Sequence, residues 1–478
     1  MAQSATQSLN SHIPGADAGS YPVRPGNVIV PLIDGDPAFR RICEAVEAAE
    51  HSVWVTIAFL GHDFEMPDGR GSLFDVLDRA KSRGLDVRAI FWRPVGGDWT
   101  PDDVFPGNDD QRAMLQERGS KFLARWDRAQ KAYCQHQKSW LVDAGRDSEI
   151  AFVGGINLGR GSVVSPGHIG GNDIHVHDVY AEMQGPAATD VHHNFVQRWN
   201  EASDRTQDTG TWPSPIAQTN LDFPTSLTKP KGADAVQIQR TVKAGHYTDT
   251  TATPGGASFA VHDGEFSIYE QYLKAISAAR TSIYIEDQAI GSADIVEALH
   301  KALERDVCVT VLVPADAHSE MAQARKSPQA KPFFDRLGQL GTHDHFLLAG
   351  IANYGGDDVL RNIYVHAKIM LVDDHWATIG SCNIGNRSFF NDTELNASFW
   401  SDTVVRNLRC DLLHEHLGID TAQMNDREAM RTYRETAWNN RARRLNGERM
   451  GALAFALDPA AYPEQFTDVT TAKSQARG

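Results

Sequence analysis

The sequence predicts an α/β protein made of two similar halves. Two observations predict it: an amphipathic helix followed by an apolar strand occurs twice, 230 residues apart, and the elements that follow repeat in the same order. Strands that alternate with helices favour a mixed or parallel sheet with helices packed on its faces. We therefore expect an internal duplication.

The first repeated unit is a helix that leads directly into a strand. Residues 45–55 and 275–285 share this pattern, each ending in an apolar run rich in β-branched and aromatic residues. Apolar side chains such as Phe39, Ile42 and Val46 stand at helical spacing in the first copy. This spacing is typical of a helix with one buried face, and the run that follows is typical of a buried strand.

The second repeated unit has the same form. A helix and strand over residues 73–92 stop near Pro94, and a helix and strand over residues 295–313 stop at Pro314. Between the halves, residues 206–235 are rich in Thr, Pro, Asp and Ser, which predicts an ordered but irregular crossing segment.

The repeats divide the chain into five segments. We expect an N-terminal tail at 1–26, a first half at 27–205, a linking segment at 206–262, a second half at 263–418 and a C-terminal extension at 419–478. The extension contains many charged residues, which predicts a solvated helix or tail.

Composition and charge exclude several classes of protein. The chain has 478 residues, of which 41% are hydrophobic, and 46 Lys and Arg against 62 Asp and Glu give a net charge of −16. An acidic surface repels nucleic acid, so we expect no nucleic-acid partner. The sequence shows neither a signal peptide nor an apolar run long enough to span a bilayer, so we expect a cytoplasmic protein or one exported by a leaderless route. The 5 cysteines are scattered, which favours free thiols.

A polar motif repeats at the same offset. His136 and Lys138 are followed by Asp143, and His366 and Lys368 are followed five residues later by Asp373. The apolar context of both motifs predicts strands, on which side chains at positions i and i+2 share a face. Two copies in register with a wider repeat make chance a poor explanation, so both histidines are candidate functional residues.

A turn of small residues with an asparagine follows each motif. The first half has Gly154, Gly155 and Asn157, and the second has Ser381 and Asn383. Small residues let backbone N–H groups and the asparagine amide approach a bound anion, although both asparagines could instead serve only the turn. The offset here is 226, because the first copy carries four extra residues around 144–148, which predicts a longer hairpin turn.

These motifs resemble those of the phospholipase D superfamily, whose two H-x-K-x-x-x-x-D motifs come from duplicated halves. The resemblance covers about residues 27–418, including 177–180 after the first motif and 386–388 leading to Glu394. It implies two α/β/α sandwich halves with mixed sheets, related by a pseudo-two-fold axis. Together they would form one bilobed monomer with a shared active site.

The resemblance also assigns roles. It favours His136 as the nucleophile that forms a phosphohistidine and His366 as the general acid, over the reverse. Lys138, Lys368, Asn157 and Asn383 would hold the phosphate oxygens, and Asp178 and Glu394 would orient the imidazoles.

The remaining positions of the motifs and of the turns that follow them have a structural interpretation. Asp143, Asp373, Gly155 and Ser381 would support the strands and turns that carry the motifs. We expect no cofactor and no metal. His175, His177, His192 and His193 could suggest a metal, but their spacing to one another and to acidic residues fits no closed site.

The local likeness around His177, Asp178 and Glu394 favours the branch of phosphatidylcholine-type phospholipases D. This branch implies a phospholipid substrate, peripheral membrane contact and transphosphatidylation as a side or main activity. Nucleic-acid cleavage, phosphatidyl transfer and a non-catalytic lipid-binding module stay open as alternatives. Three loops, at 94–110, 159–173 and 316–332, are expected to control access. Trp99 or Phe105 could contact lipid, although ordinary packing is the favoured interpretation.

Overall fold

A computed structural model describes residues 11–96, 103–170, 175–213, 219–316 and 319–462 of the chain. Within these ranges the first half contains nine strands and four helices. They are β1 Arg24–Ile33, α1 Gly35–Ala48, β2 Ser52–Ile57, α2 Leu73–Ser82, β3 Asp86–Trp92, α3 Asp109–Arg118, β4 Leu123–Asp127, β5 Ser139–Val142, β6 Ile150–Gly154, β7 Val176–His177, β8 Val179–Gln184, α4 Pro186–Glu201 and β9 Thr211–Trp212.

The second half follows with elements of the same kind. They are β10 Asp234–Val242, β11 Glu265–Phe266, α5 Ser267–Ala278, β12 Ser282–Glu286, α6 Ala293–Glu304, β13 Cys308–Leu312, α7 Ser319–Arg325, α8 Lys331–Leu340, β14 Phe346–Tyr354, β15 Leu360–Val365, β16 Ile369–Val372, β17 Trp376–Gly380, α9 Asn386–Phe390, β18 Glu394–Trp400, α10 Asp402–Leu417, α11 Asp426–Leu445 and β19 Ala454–Leu457.

The two halves share one strand order. The first sheet runs β1-β8-β6-β5-β2-β3-β4-β9, with β2, β3 and β4 parallel and the other neighbours antiparallel. The second sheet runs β10-β18-β17-β16-β12-β13-β14-β19 with the same strand directions. The duplicated α/β architecture predicted from the sequence is confirmed.

The halves meet across a pseudo-two-fold arrangement. The equivalent strands β1 and β10 pair with each other in antiparallel register, with Arg24 opposite Val236 and Asn27 opposite Asp234. Between the sheets, β6 lies against β18, and β8 lies against β17. The strands β17 and β18 are the second-half equivalents of β6 and β8. This exchange of equivalent neighbours brings the amino-terminal ends of both motif segments, which carry His136 and His366, to one place.

Buried apolar side chains explain why the elements form where they do. The helix α1 buries Phe39, Ile42 and Val46 against the first sheet, as their helical spacing predicts. The strand β2 is buried along its whole length, as expected for a central parallel strand covered on both faces. A further cluster joins residues of both sheets with α4, α10 and α11, so the two halves share one core.

The hairpin turn differs between the halves as the sequence predicts. The connection from β5 to β6 covers residues 143–149, whereas that from β16 to β17 covers 373–375, which accounts for the four additional residues. The insertion therefore leaves the strand pairing unchanged.

Ordered structure extends beyond the predicted halves at two places. Strand β10 lies inside 206–262, the range assigned to the linking segment, and it is the pairing partner of both β1 and β18. The described part of the N-terminal tail is also packed: Ile13 is fully buried, and Gln237 donates to the carbonyls of Ala16 and Tyr21.

The C-terminal extension differs from the expected solvated helix or tail. Helix α11 buries Ala429, Met430, Tyr433 and Ala437 in the shared core, and β19 adds a strand beside β14. The apolar positions recur along one face while charged residues cover the rest, so the high charge conceals the buried face.

No helix in the described part of the chain is long and apolar enough to cross a bilayer. The five cysteines all lie within that part and form no disulfide; four of them are buried.

Candidate active site

Each repeated motif lies in extended backbone immediately before a central strand. His136 and Lys138 precede β5, and His366 and Lys368 precede β16. In both halves the lysine ammonium donates a hydrogen bond to the backbone carbonyl of its own histidine, over 2.9 Å in the case of Lys138. The sequence pattern H-x-K therefore produces the same local geometry twice.

The two halves exchange the carboxylates that hold the histidines. His136 of the first half donates from Nδ1 to Glu394 of the second, with oxygen distances of 3.0 and 2.9 Å. His366 of the second half donates from Nδ1 to Asp178 of the first, over 2.6 Å. Because Nδ1 is engaged in both rings, Nε2 is the nitrogen left for chemistry in each.

Backbone hydrogen bonds cross between the halves at the same points. The N–H of His136 donates to the carbonyl of Thr393 over 2.9 Å, and the N–H of His366 donates to the carbonyl of His177 over 2.8 Å. Thr393 and His177 directly precede Glu394 and Asp178. Each histidine is thus fixed through main chain and side chain by the same short segment of the other half.

The small residues of the two turns make room for these carboxylates in different ways. A Cβ added to Gly155 would lie 2.4 Å from Oδ1 of Asp178, so only glycine fits there. At the equivalent position, the Ser381 hydroxyl donates to Oε2 of Glu394 over 2.6 Å. Both residues act on the orienting carboxylates, which is more specific than the support predicted from the sequence.

The motif aspartates lie away from the histidines and organise the ends of neighbouring strands. Asp143 accepts hydrogen bonds from the backbone N–H groups of residues 50–52, and Asp373 accepts them from residues 280–282. Both aspartates have positive φ, 54° and 57°, which aspartate tolerates better than most residues. Their carboxylates fasten the motif strand to the start of β2 or β12.

Burial sets the protonation of the site. It lowers the pKa of His136 well below the usual value and that of His366 to about 3, with the nearby lysines adding to both effects. Burial also lowers the pKa of Lys138 to about 8 and raises that of Glu394 to about 7. Burial therefore keeps the His136 imidazole neutral and leaves Glu394 with a carboxyl group whose pKa lies close to neutral pH.

Both histidines open into a cavity of about 630 Å³ that lies between the halves. Asn157 and Asn383 line it, and the side-chain oxygen of each is buried without a hydrogen-bond partner among the described residues. Lys138 and Lys368 are buried beneath the histidines and are not part of the lining. The structure thus brings the histidines and asparagines to one opening, with the lysine charges behind them.

Some residues that line the cavity or lie directly behind its lining received no role from the sequence. Asp287 accepts hydrogen bonds from the N–H groups of Ala289 and Ile384, and burial raises its pKa to about 7. Arg387 lines the cavity and is paired with Asp392 over 2.9 Å. The sequence did offer one signal for Asp287, because this polar residue directly follows the buried strand β12.

The other predicted positions lie elsewhere. Phe105 packs against Phe74 and Phe91 and is 6% exposed, so its proposed lipid contact is wrong and packing is confirmed. Trp99 lies outside the described residues. Of the histidines considered as metal ligands, His192 contacts Glu149 and His193 contacts the carbonyl of Thr251, and both lie away from the cavity.

Two family models match the chain. One is described as "Phospholipase D" and matches residues 170–324, and the other as "Cardiolipin synthase, PLD-like domain" and matches residues 272–415.

Similar proteins cover most of the chain at low identity. Phospholipase D A of Dictyostelium discoideum is 24% identical, covering 84% of this chain and 36% of that protein. Cardiolipin synthase 1 of Staphylococcus epidermidis is 25% identical, covering 80% of this chain and 66% of that protein. The chain therefore spans about a third of the first relative and just under two thirds of the second.

A solved structure shows the same fold. Phosphatidylserine synthase of Haemophilus influenzae Rd KW20 aligns with a TM-score of 0.55 at 12% identity, covering 94% of this chain and 92% of that one. At this identity the likeness concerns the fold, and it extends over both halves.

The close approach of Gly155 to Asp178 gives a sharp test of the exchanged carboxylates. Gly155→Ala places a methyl group 2.4 Å from Oδ1 of Asp178, so the carboxylate must move away from His366. We expect turnover of a chromogenic phosphodiester to fall about tenfold or more. Gly356→Ala is the matched control, because no atom lies within 4 Å of the added Cβ. Equal turnover in the two variants would contradict the role of this contact.

The lowered pKa of Lys138 predicts a falling rate at high pH. In the role expected for Lys138, its ammonium group supplies positive charge from behind the histidines, and this charged form is lost as pH rises through its pKa of about 8. The ratio kcat/KM for a soluble phosphodiester should therefore fall about tenfold per pH unit above that value. In Lys138→Arg the charge persists, so any residual activity should lack this decline. A wild-type profile that is flat to about pH 10 would refute the prediction.

Proposed function

The chain belongs to the phospholipase D superfamily, and on this premise we propose that it is a phospholipase D that hydrolyses the distal phosphodiester bond of glycerophospholipids such as phosphatidylcholine. The products are phosphatidic acid and the free head-group alcohol, and transphosphatidylation follows when an alcohol replaces water. The observation that carries the proposal is the cavity shared by His136 and His366, because its wall combines these polar groups with an apolar surface.

The apolar part of the wall comes from the second half. Met321 and Ala324 of α7, and Phe333 and Phe334 of α8, line the cavity together with Phe59 of the first half. An apolar wall next to phosphate-binding groups suits an amphiphilic substrate, whose head group and acyl chains need different surroundings. The chain's net charge of −16 also disfavours a polyanionic nucleic acid.

The geometry supports a two-step mechanism. Nε2 of His136 attacks phosphorus to form a phosphohistidine, and His366 gives a proton to the leaving alcohol. His366 then accepts a proton from water or from another alcohol, which displaces the histidine and completes the reaction. Asp178, 2.6 Å from Nδ1 of His366, opposes the burial that lowers the pKa of this imidazole. The negative charge of a bound phosphodiester would oppose it further, and on this basis we assign the acid role to His366.

The remaining groups would stabilise charge in the transition state. The side-chain NH₂ groups of Asn157 and Asn383 donate to the non-bridging oxygens. This fits the burial of both side-chain oxygens, which have no hydrogen-bond partner among the described residues. Lys138 and Lys368 supply positive charge from behind the histidines. Asp178 and Glu394 act as positioning residues that fix the ring orientation and leave Nε2 available.

An assay with lipid vesicles tests the proposal directly. Purified protein is incubated with phosphatidylcholine vesicles and a primary alcohol, and choline and phosphatidyl-alcohol are measured. Both products are expected from the wild type. His136→Ala and His366→Ala should abolish them, and His62→Ala, which changes an exposed histidine, should not. Cleavage of nucleic acid without release of choline would move the chain to the nuclease alternative. Formation of a diphosphatidyl product in place of choline release would identify a phosphatidyl transferase.

The apolar wall predicts a separable effect on lipid substrates. Phe333→Ala removes part of that wall without touching the histidines, so KM for long-chain phosphatidylcholine should rise several-fold. Hydrolysis of a small water-soluble phosphodiester should stay unchanged. Leu445→Ala removes an apolar side chain that is 65% exposed and serves as the control. An equal loss on both substrates would show that Phe333 supports the fold of the site and does not contact acyl chains.

A further inference from the structure

A second cluster of titratable side chains lies behind the proposed active site. Asp34, His168, His177 and Glu415 bring one ligand atom each within 4.8 Å of one another. Asp34, His168 and His177 belong to the first half, whereas Glu415 lies on α10 of the second. The side chains of all four are at least 97% buried. The proposed mechanism uses none of them.

We propose that this cluster is a binding site for a divalent transition metal of the zinc class. Two imidazole nitrogens and two carboxylates form a donor set that suits zinc. With bonds of about 2.0 to 2.2 Å, the edges of a tetrahedral zinc site measure about 3.3 to 3.6 Å. Nε2 of His168 lies 3.4 Å from Oδ2 of Asp34 and 3.3 Å from Oε1 of Glu415.

Two further distances within the cluster involve His177. Nδ1 of His177 lies 3.8 Å from Oε1 of Glu415 and 2.9 Å from Oδ1 of Asp34. A cation between the four atoms would replace the short hydrogen bond from His177 to Asp34. The observed spacing therefore needs only small side-chain adjustments to reach four-coordinate geometry.

Unpartnered buried atoms point independently to a ligand. Neither ring nitrogen of His168 makes a hydrogen bond to a described residue, and the same holds for Oδ2 of Asp34 and Oε2 of Glu415. Nε2 of His168 has only the two longer ion-pair contacts given above. His168 is 2% exposed. Buried polar groups are normally paired, since leaving them unpaired costs free energy. A metal ion satisfies the imidazole and both carboxylates at once.

The surroundings of His177 fit an outer shell of the kind found at metal sites. Its other ring nitrogen, Nε2, donates to Glu286 over 2.9 Å, and Glu286 accepts from the Tyr284 hydroxyl over 2.6 Å. A ligating histidine that donates to a carboxylate is the usual arrangement around protein-bound zinc. His177 would therefore ligate through Nδ1 with its tautomer already fixed.

A metal ion in this cluster would act on the active site by fixing the segment that holds His366. His177 directly precedes Asp178, and its carbonyl accepts hydrogen bonds from the N–H groups of both His366 and Ala367. A cation held by Asp34, His177 and Glu415 would fix this segment and join the two halves on one side. Its role is therefore positioning, and it takes no part in the phosphodiester chemistry.

Metal content and thermal stability test the proposal on the full-length protein. The wild type is stripped with a chelator, desalted, titrated with zinc chloride and desalted again. We expect about one zinc per chain and a rise in Tm of about 2 °C or more at saturating zinc. His168→Ala should weaken zinc binding about tenfold or more and abolish the shift in Tm, whereas His62→Ala, at an exposed position, should keep both.

Two further measurements keep the test decisive. If His168→Ala does not fold, Glu415→Gln retains the size of the side chain and its carbonyl acceptor for Gly167, and it should show the same loss of zinc. Cobalt substituted into the wild type should give the intense visible absorption of a four-coordinate site. A wild type that retains no zinc, a weak six-coordinate cobalt spectrum, or undiminished zinc binding in His168→Ala would overturn the proposal.

Discussion

The exchange of carboxylates between the halves is the interaction on which the rest of the site depends. His136 is held by Glu394 and His366 by Asp178, so each histidine receives its orienting group from the other half. The main-chain bonds from the two histidines to Thr393 and His177 follow the same exchange. Because the imidazoles are buried, they need these partners to keep a single tautomer and orientation. Both pairs form only when the sheets are in register.

The two halves have closely similar backbones but differ in the side chains at equivalent positions of the site. Equivalent strands pair in the same order, yet Asp178 stands where the second half has Glu394, and Gly155 stands where it has Ser381. The two differences compensate: glycine leaves room for the close approach of Asp178, and the serine hydroxyl binds the longer glutamate. Two histidines in similar frames thereby acquire different environments, as the proposed roles of nucleophile and acid would require.

The sequence was sufficient for the architecture and for the main residues of the site. Helical and strand periodicity located α1, β2 and their copies, and the repeated motif located His136 and His366. The exchange itself was not predictable, since spacing along the chain does not show whether Asp178 faces the histidine of its own half. Helix α11 was misjudged because Arg431, Arg434 and the arginines that follow conceal a narrow apolar face. The cluster around His168 was not predicted because its members come from three distant parts of the chain, at 34, 168–177 and 415, and only the fold brings them together.

The pairing of β1 with β10 has a consequence for how the site can fail. This antiparallel contact and the shared core hold both exchanged pairs in register, so the two histidines do not behave as independent sites. Any perturbation that separates the sheets removes the orienting partner of both at once. Local loosening of the interface should therefore act as an all-or-none loss, in which a fraction of molecules is inactive and the rest retain full activity. In a population of such molecules, the active fraction then measures how cooperatively the two halves are held together.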